Sequence, residues 1–114
     1  FYGAIPVTAP LTDEQIGSEY ELNTGRAIVA RFAGLDPMQM PAVLVANHGP
    51  FTWGKTAAAA VESMVILEQI AALAMGTITI DPARPPIAQT LLDRHFLRKH
   101  GPGAYYGQDA CKDT

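Results

Sequence analysis

Stretches of apolar and polar residues alternate along the chain in a way that predicts strands and helices in turn. The clearest strand covers residues 41–46, where a continuous apolar run is typical of a strand buried on both faces. A second short strand is predicted at 51–53, and residues 1–7 favour a strand or a strand edge. This alternation of elements indicates an α/β layered fold.

Two helices are predicted between the first strand and the clearest one. The first should cover residues 13–21, because Thr12 and Gln15 have the spacing of a capping box. A second is predicted at 25–33, and Gly34 suits the left-handed position that closes a helix.

Two more helices are predicted after the strands. The longer one should begin at Lys55 or Thr56, reach about residue 75 and carry a broad apolar stripe. Residues 78–80 are then expected to be extended. A last helix is predicted at 87–100, with Gly101 as its terminator.

The length of 114 residues suits a single domain. Three or four predicted strands of the buried type would form a sheet with exposed edges. We therefore expect part of the sheet to lie outside these residues.

Composition excludes several classes of protein. Only 17% of residues are charged and the net charge is −3, which argues against a nucleic-acid binder with a basic face. An apolar content of 48% argues against disorder. The single cysteine excludes an internal disulfide and fits a reducing, cytoplasmic compartment, and no secretory signal pattern opens the chain.

The longest apolar stretch, residues 57–75, is the only candidate for a membrane span. Glu62, Ser63, Glu68 and Gln69 interrupt it. A buried helix of a protein without a membrane partner is the better prediction.

His48 is the first candidate for chemistry, because it follows the buried strand where the backbone leaves the sheet. A neutral imidazole there could bind zinc or serve as a base. The alternative is a histidine that only hydrogen-bonds its loop. A catalytic zinc site needs about three protein ligands, and the other histidines, His95 and His100, form no His-x-His pair.

The last predicted helix carries a basic cluster of Arg94, His95, Arg98 and Lys99. A solvated helix end is one interpretation, because basic residues are favourable near the carboxyl end of a helix. The other is a basic wall for an anionic substrate such as a phosphate. His95 and His100 face different directions on a straight helix and cannot chelate one ion together.

Tyr105 and Tyr106 stand side by side in a glycine-rich tail. They could dock on the domain's own surface or on a neighbour, or a tyrosine could act as an acid or base. Trp53 is expected in the core or in a pocket wall. Cys111 has no histidine nearby in the sequence and is not expected to be a nucleophile.

Four segments form a recognisable set: residues 2–6, 44–55, 89–101 and 104–108. Their most specific parts are His-Gly-Pro-Phe-Thr-Trp-Gly-Lys at 48–55, Lys-His-Gly at 99–101 and Tyr-Tyr-Gly-Gln at 105–108. Together they resemble the zinc-dependent class II sugar-phosphate aldolase/epimerase family. They favour its epimerase branch over the fuculose- and rhamnulose-phosphate aldolases, whose tails differ. The resemblance covers residues 1–108, which correspond to the carboxyl-terminal half of the family's subunit, and leaves 109–114 as a tail extension.

The resemblance implies a fold, an assembly and an activity. The fold is a three-layer α/β/α sandwich around a central mixed, largely antiparallel sheet, here partial, in a homotetramer whose sites are shared between subunits. The activity is interconversion of L-ribulose 5-phosphate and D-xylulose 5-phosphate by retro-aldol cleavage and re-formation of the C3–C4 bond. The implied cofactor is Zn²⁺, with another divalent metal as an alternative.

The resemblance also implies roles for single residues. His48 matches a zinc ligand, and Tyr106 matches an acid/base residue that reaches a neighbouring subunit's site. His95 and Arg98 match residues that line the substrate site.

Several parts of the family's site have no counterpart in these 114 residues. The family's His-x-His ligand pair, its phosphate-binding loops and an acid/base aspartate all precede the matched segments. The chain alone is therefore expected to be inactive. Two other readings stay open: a class II aldolase that releases the aldehyde, and a non-catalytic assembly module that docks on complete subunits.

Overall fold

The computed structural model describes residues 1–107 of the protein. The elements of this part are, in chain order, α1 (Asp13–Gly17), α2 (Tyr20–Arg31), β1 (Ala42–Val45), β2 (Gly49–Thr52), α3 (Ala57–Ile80) and α4 (Gln89–Leu97). The predicted extension at 109–114, with Cys111, lies outside the described residues.

β1 and β2 form an antiparallel pair in which Val43 lies opposite Phe51. The amino-terminal segment joins β1 on its other side through one parallel bridge between Val7 and Leu44. Within this bridge the Leu44 N–H donates to the carbonyl of Pro6 at 2.9 Å. The predicted strand at 41–46 is confirmed, the second strand begins two residues earlier than predicted, and residues 1–7 contribute a strand edge. Helices around a small sheet are consistent with the expected α/β class.

The described core is small and centred on β1. Ala42 and Val43 are fully buried, Val45 is nearly so, and Leu67 is buried on α3, a helix that contacts β1. Beside the sheet, the Trp53 ring meets Phe32 edge-on at 5.1 Å. Trp53 also donates its Nε1–H to the carbonyl of Pro37 at 2.7 Å, so the expected packing role of this residue is confirmed.

The boundary between the first two helices differs from the prediction. Thr12 and Gln15 form the expected capping box, but α1 ends at Gly17. The Asn23 side chain donates to the carbonyl of Gln15 at 2.9 Å and to the Ser18 hydroxyl at 3.2 Å. Asn23 therefore caps the end of α1 from inside α2, which begins at Tyr20 instead of residue 25.

α3 begins as predicted but runs past its predicted end. The Thr56 hydroxyl accepts from the Ala59 N–H at 3.1 Å and caps the helix. Gly76 does not end it, because glycine in a helix interior costs only about 1 kcal/mol relative to alanine and both neighbouring turns are helical. The expectation of extended structure at 78–80 was wrong, and the helix ends at Ile80.

Most of α3 is exposed in the described chain, which corrects the prediction of a buried helix. Only Ser63 and Leu67 of this helix are buried, whereas Val65 is 60% and Leu73 70% exposed. The small sheet covers the first turns of the helix and leaves the rest without a packing partner among the described residues. By length and composition α3 is also apolar enough to cross a membrane, a test that core helices of soluble proteins pass as well.

α4 is shorter than predicted at both ends. It begins at Gln89, after the extended Ala88, and ends at Leu97. The N–H groups of Lys99 and His100 both bond to the carbonyl of Phe96, so the chain continues in tight turns. Gly101 takes the expected left-handed conformation with φ of 92°.

Candidate functional site

His48 lies in the turn that joins β1 to β2. Asn47 before it has a left-handed φ of 60° and Gly49 after it a φ of 143°. The His48 N–H bonds back to the carbonyl of Val45 at 3.0 Å. The tight turn therefore presents the imidazole at the end of the sheet, where the sequence pattern predicted it, and the side chain is exposed.

Aromatic rings border the His48 imidazole. Its ring stacks on Phe51 at a centroid distance of 5.2 Å, and the Tyr20 ring of α2 lies 6.5 Å away. These three residues and Glu21 line a groove of about 220 Å³.

The described residues do not form a complete metal site around His48. No group of three or more His, Cys, Asp or Glu side chains within residues 1–107 is close enough to hold an ion. A catalytic zinc ion takes about three protein ligands. This part of the chain therefore offers one candidate ligand.

Arg98 and Tyr106 form a second candidate site at the carboxyl end of α4. The Arg98 guanidinium carbon lies 4.6 Å from the centroid of the Tyr106 ring, within range of a cation–π interaction. Lys99 adds a second cation 5.4 Å from the same ring. The Arg98 Nε is buried and has no hydrogen-bond partner among the described residues.

A groove of about 540 Å³ runs along this end of α4. It is lined by Asp93, Arg94, Arg98, His100 and Tyr105, among others. Two arginines on one wall suit a phosphate, because guanidinium groups bind phosphate oxygens in pairs. The groove is compatible with the basic-wall interpretation of the cluster, which stays a prediction beside that of a solvated helix end.

His95 is exposed on α4, one turn before Arg98. The i, i+3 spacing makes the two residues neighbours on the helix surface. His48 is not brought to this place, because no other helix or strand of the described chain packs against α4. The structure therefore brings Arg98 to the Tyr106 ring, whereas His95 is not among the described residues that line the groove at this end of α4.

The sequence pattern does not predict the contact between Tyr2 and Asp93. The Tyr2 hydroxyl donates to Asp93 Oδ1 at 2.5 Å, and Gln89 Nε2 donates to the same oxygen at 2.7 Å. The hydrogen bond to Asp93 raises the pKa of Tyr2, and the hydrogen bonds from Tyr2 and Gln89 lower the pKa of Asp93. The i, i+4 spacing of Gln89 and Asp93 could have indicated their side-chain contact. Nothing in the sequence indicates that Tyr2, 91 positions away, also bonds to Asp93.

The sequence of this chain matches a known protein family. The model of the class II aldolase and adducin N-terminal domain matches residues 1–75. That stretch contains β1, β2, the His48 turn and most of α3.

Curated relatives match almost all of the chain. Proteins named L-ribulose-5-phosphate 4-epimerase UlaF from Salmonella paratyphi B and Salmonella choleraesuis are 46% identical to it over 108 residues, which is 95% of this chain and 47% of each relative. The protein of the same name from Salmonella typhi is 45% identical over the same length. The chain thus spans about half the length of the curated relatives it matches.

Proposed function

This chain belongs to the class II aldolase and adducin N-terminal domain family, and on that premise we propose that it forms the carboxyl-terminal half of a sugar-phosphate 4-epimerase. The reaction is the interconversion of L-ribulose 5-phosphate and D-xylulose 5-phosphate. The observation that carries the proposal is the 46% identity, over 95% of the chain, to proteins named for this activity.

The complete subunit is a three-layer α/β/α sandwich around a mixed, largely antiparallel sheet, to which residues 1–108 contribute one half. The apolar face of α3 supports this architecture, because Val61, Val65 and Leu73 are each at least 60% exposed in the described chain. Apolar side chains this exposed along one long helix indicate a missing packing layer.

The chemistry of the proposed reaction is a retro-aldol cleavage followed by an aldol addition. The C4 hydroxyl loses its proton while the C3–C4 bond breaks, and the electron pair of that bond remains on C3 as an enolate of dihydroxyacetone. C4 becomes the aldehyde carbon of glycolaldehyde phosphate. After the aldehyde rotates, C3 attacks its opposite face, and the new C4 oxygen takes up a proton.

Tyr106 is the proposed acid/base residue for the proton at the C4 oxygen on one face of the aldehyde. Its side chain is 52% exposed, which suits a group that reaches into a neighbouring subunit's site. Arg98 and Lys99 lie 4.6 Å and 5.4 Å from the centroid of its ring, within range of cation–π interactions that hold the ring in place.

Arg98 and His95 are the proposed substrate-binding residues. The Arg98 guanidinium has a buried donor, Nε, with no partner in the described chain. An anionic phosphate or an oxygen of the substrate would satisfy donors of this kind. His95, one turn away, offers an imidazole for a second contact.

His48 is proposed as one ligand of a catalytic divalent metal, with zinc as the expected ion. A single imidazole cannot hold this ion, so the proposal requires further ligands from outside the described residues. When bound, such a metal acts as a Lewis acid that polarises the carbonyl and the adjacent hydroxyl of the ketose.

The proposed assembly is a cytoplasmic homotetramer in which neighbouring subunits share each site. Two observations support sharing: His48 and Tyr106 lie in separate parts of the described chain, and α4 packs against no other helix or strand there.

Product analysis tests the proposal against its rivals. The full-length protein that carries this chain is incubated with L-ribulose 5-phosphate, and the sugar phosphates are separated by chromatography. Accumulation of D-xylulose 5-phosphate supports the epimerase. Stoichiometric release of free glycolaldehyde phosphate would identify an aldolase instead, and an unchanged substrate would favour the assembly module.

A further inference from the structure

Helix α4 is joined to the body of the described chain through Tyr2. No other helix or strand among residues 1–107 packs against α4. Tyr2 reaches it at two points: its hydroxyl donates to Asp93 at 2.5 Å, and its ring stacks on Phe96 at a centroid distance of 4.4 Å. Asp93 and Phe96 are i, i+3 neighbours, so the two contacts lie on one face of the helix.

Tyr2 is itself anchored near the sheet. Its backbone N–H donates to the carbonyl of Gln39 at 3.0 Å. Gln39 precedes Met40, which is buried at the start of the segment that becomes β1. The side chain of Tyr2 thus bridges the β1 region and α4.

The Asp93 carboxylate is held from both sides. Its Oδ1 accepts from Tyr2 and, at 2.7 Å, from the Gln89 side chain one turn earlier on α4. Two donors on one oxygen restrict the rotation of the carboxylate and, with the stack on Phe96, fix the rotation of α4 about its own axis.

The orientation of α4 determines where the candidate site residues stand. Arg98 caps this helix, and its carbonyl accepts hydrogen bonds from the N–H groups of Tyr105 and Tyr106, each at 2.9 Å. A rotation of α4 would therefore carry both Arg98 and Tyr106 with it.

We infer that Tyr2 and Asp93 are positioning residues, which hold α4 at the angle that places Arg98 and Tyr106 for the reaction. This inference rests on the proposed function for its effect on turnover. Its structural part, the coupling of residue 2 to the order of residues 98–107, does not depend on that function.

The test uses Tyr2→Phe in the full-length protein, because phenylalanine keeps the stack on Phe96 and removes only the hydroxyl. We expect hydrogen exchange of the peptide covering 98–107 to become about tenfold faster, as local opening grows, while the peptide covering β1 keeps its rate. We expect kcat/KM to fall by about 10²-fold, the scale of a small misplacement of a reacting group. Asp93→Asn should change both quantities in the same direction but by less, because an amide oxygen still accepts from the Tyr2 hydroxyl, although more weakly than a carboxylate. The double variant should add little to Tyr2→Phe, because both changes act on one interaction.

Asp13→Asn is the matched control, since it removes an exposed carboxylate on α1, and it should leave exchange at 98–107 and kcat/KM unchanged. Unchanged exchange at 98–107 in Tyr2→Phe would overturn the inference, as would equal acceleration in β1, which indicates a general loss of stability. If the wild-type full-length protein showed no epimerase turnover, the proposed function would be refuted. The hydrogen-exchange experiment would still decide whether Tyr2 and Asp93 position α4.

Discussion

Arg98 holds Tyr106 through both its backbone and its side chain. The Arg98 carbonyl accepts the Tyr106 N–H at 2.9 Å, and its guanidinium carbon lies 4.6 Å from the centroid of the Tyr106 ring. A residue proposed to bind the substrate therefore also positions the residue proposed to transfer a proton. The two functions are tied to one helix end.

Replacing Tyr106 by phenylalanine in the full-length protein tests the proposed proton transfer. Turnover should fall by about 10²–10⁴-fold, the usual contribution of an acid/base group, with metal content unchanged. Tyr105→Phe is the comparison variant: its ring lies 5.8 Å from Arg94 in the same groove, and its loss of turnover should be smaller than that of Tyr106→Phe. Equal turnover of Tyr106→Phe and the wild-type enzyme would show that Tyr106 is not the acid/base residue and has only a packing role.

His48→Asn tests the proposed metal ligand. The substitution should lower the zinc content of the purified full-length protein, because a ligand is lost from a site that needs about three. His100→Asn should leave the metal content unchanged, since the His100 ring packs on Phe96 of α4 at 4.3 Å. Elemental analysis of the two variants provides the comparison, and full zinc content in His48→Asn would exclude this residue as a ligand.

The Tyr2–Asp93 hydrogen bond predicts a defined pH dependence. The pKa of Asp93 is lowered from 3.8, so its contribution to stability is complete above that value and is lost as the pH falls through the lower folded-state pKa. The pKa of Tyr2 is raised from 10.0, so its contribution is complete below that value and is lost as the pH rises through the raised one.

The difference in unfolding free energy between the wild-type protein and Tyr2→Phe should therefore be independent of pH between 3.8 and 10.0. It should become smaller below and above this range. Urea denaturation at a series of pH values measures this difference. A difference that changes steadily across neutral pH would show that another titrating group is responsible.

Gly54→Ala tests the close approach between the end of the hairpin and α3. A Cβ at Gly54 would lie 2.7 Å from the Ala59 Cβ and 2.8 Å from backbone atoms of α3. Backbone cannot move aside easily, so we expect a loss of about 1–3 kcal/mol, as for overpacking. Gly25→Ala is the matched control in α2, where a Cβ meets nothing within 4 Å, and it should stabilise by about 0.5–1 kcal/mol. Thermal unfolding of both variants compares the signs, and equal shifts would contradict the account.

Local signals in the sequence were sufficient for the elements that depend on local physics. The capping box at Thr12, the buried strand β1 and the cap at Thr56 follow from side chains within a few positions of each other. The helix boundary after Gly17 could not be predicted in this way, because it depends on the side chain of Asn23, inside α2, which donates to the carbonyl of Gln15.

Burial of α3 was predicted from its apolar stripe alone, and a stripe does not reveal what covers it. In the described chain the sheet is too small to do so, and Leu73 remains 70% exposed. The attachment of α4 to the rest of the described chain could not be predicted either, since the Tyr2–Asp93 contact joins residues 91 positions apart. The contact between Arg98 and Tyr106, by contrast, joins residues close together in the sequence, and the role that the resemblance implies for His95 stays a prediction.

The central claim is that this chain carries half of an epimerase site and needs the other half to act. The most direct measurement compares the 114-residue chain with the full-length protein that contains it, by the rate at which each converts L-ribulose 5-phosphate into D-xylulose 5-phosphate. The account predicts conversion by the full-length protein and none by the chain alone. Conversion by the isolated chain, or no conversion by the full-length protein, would contradict it.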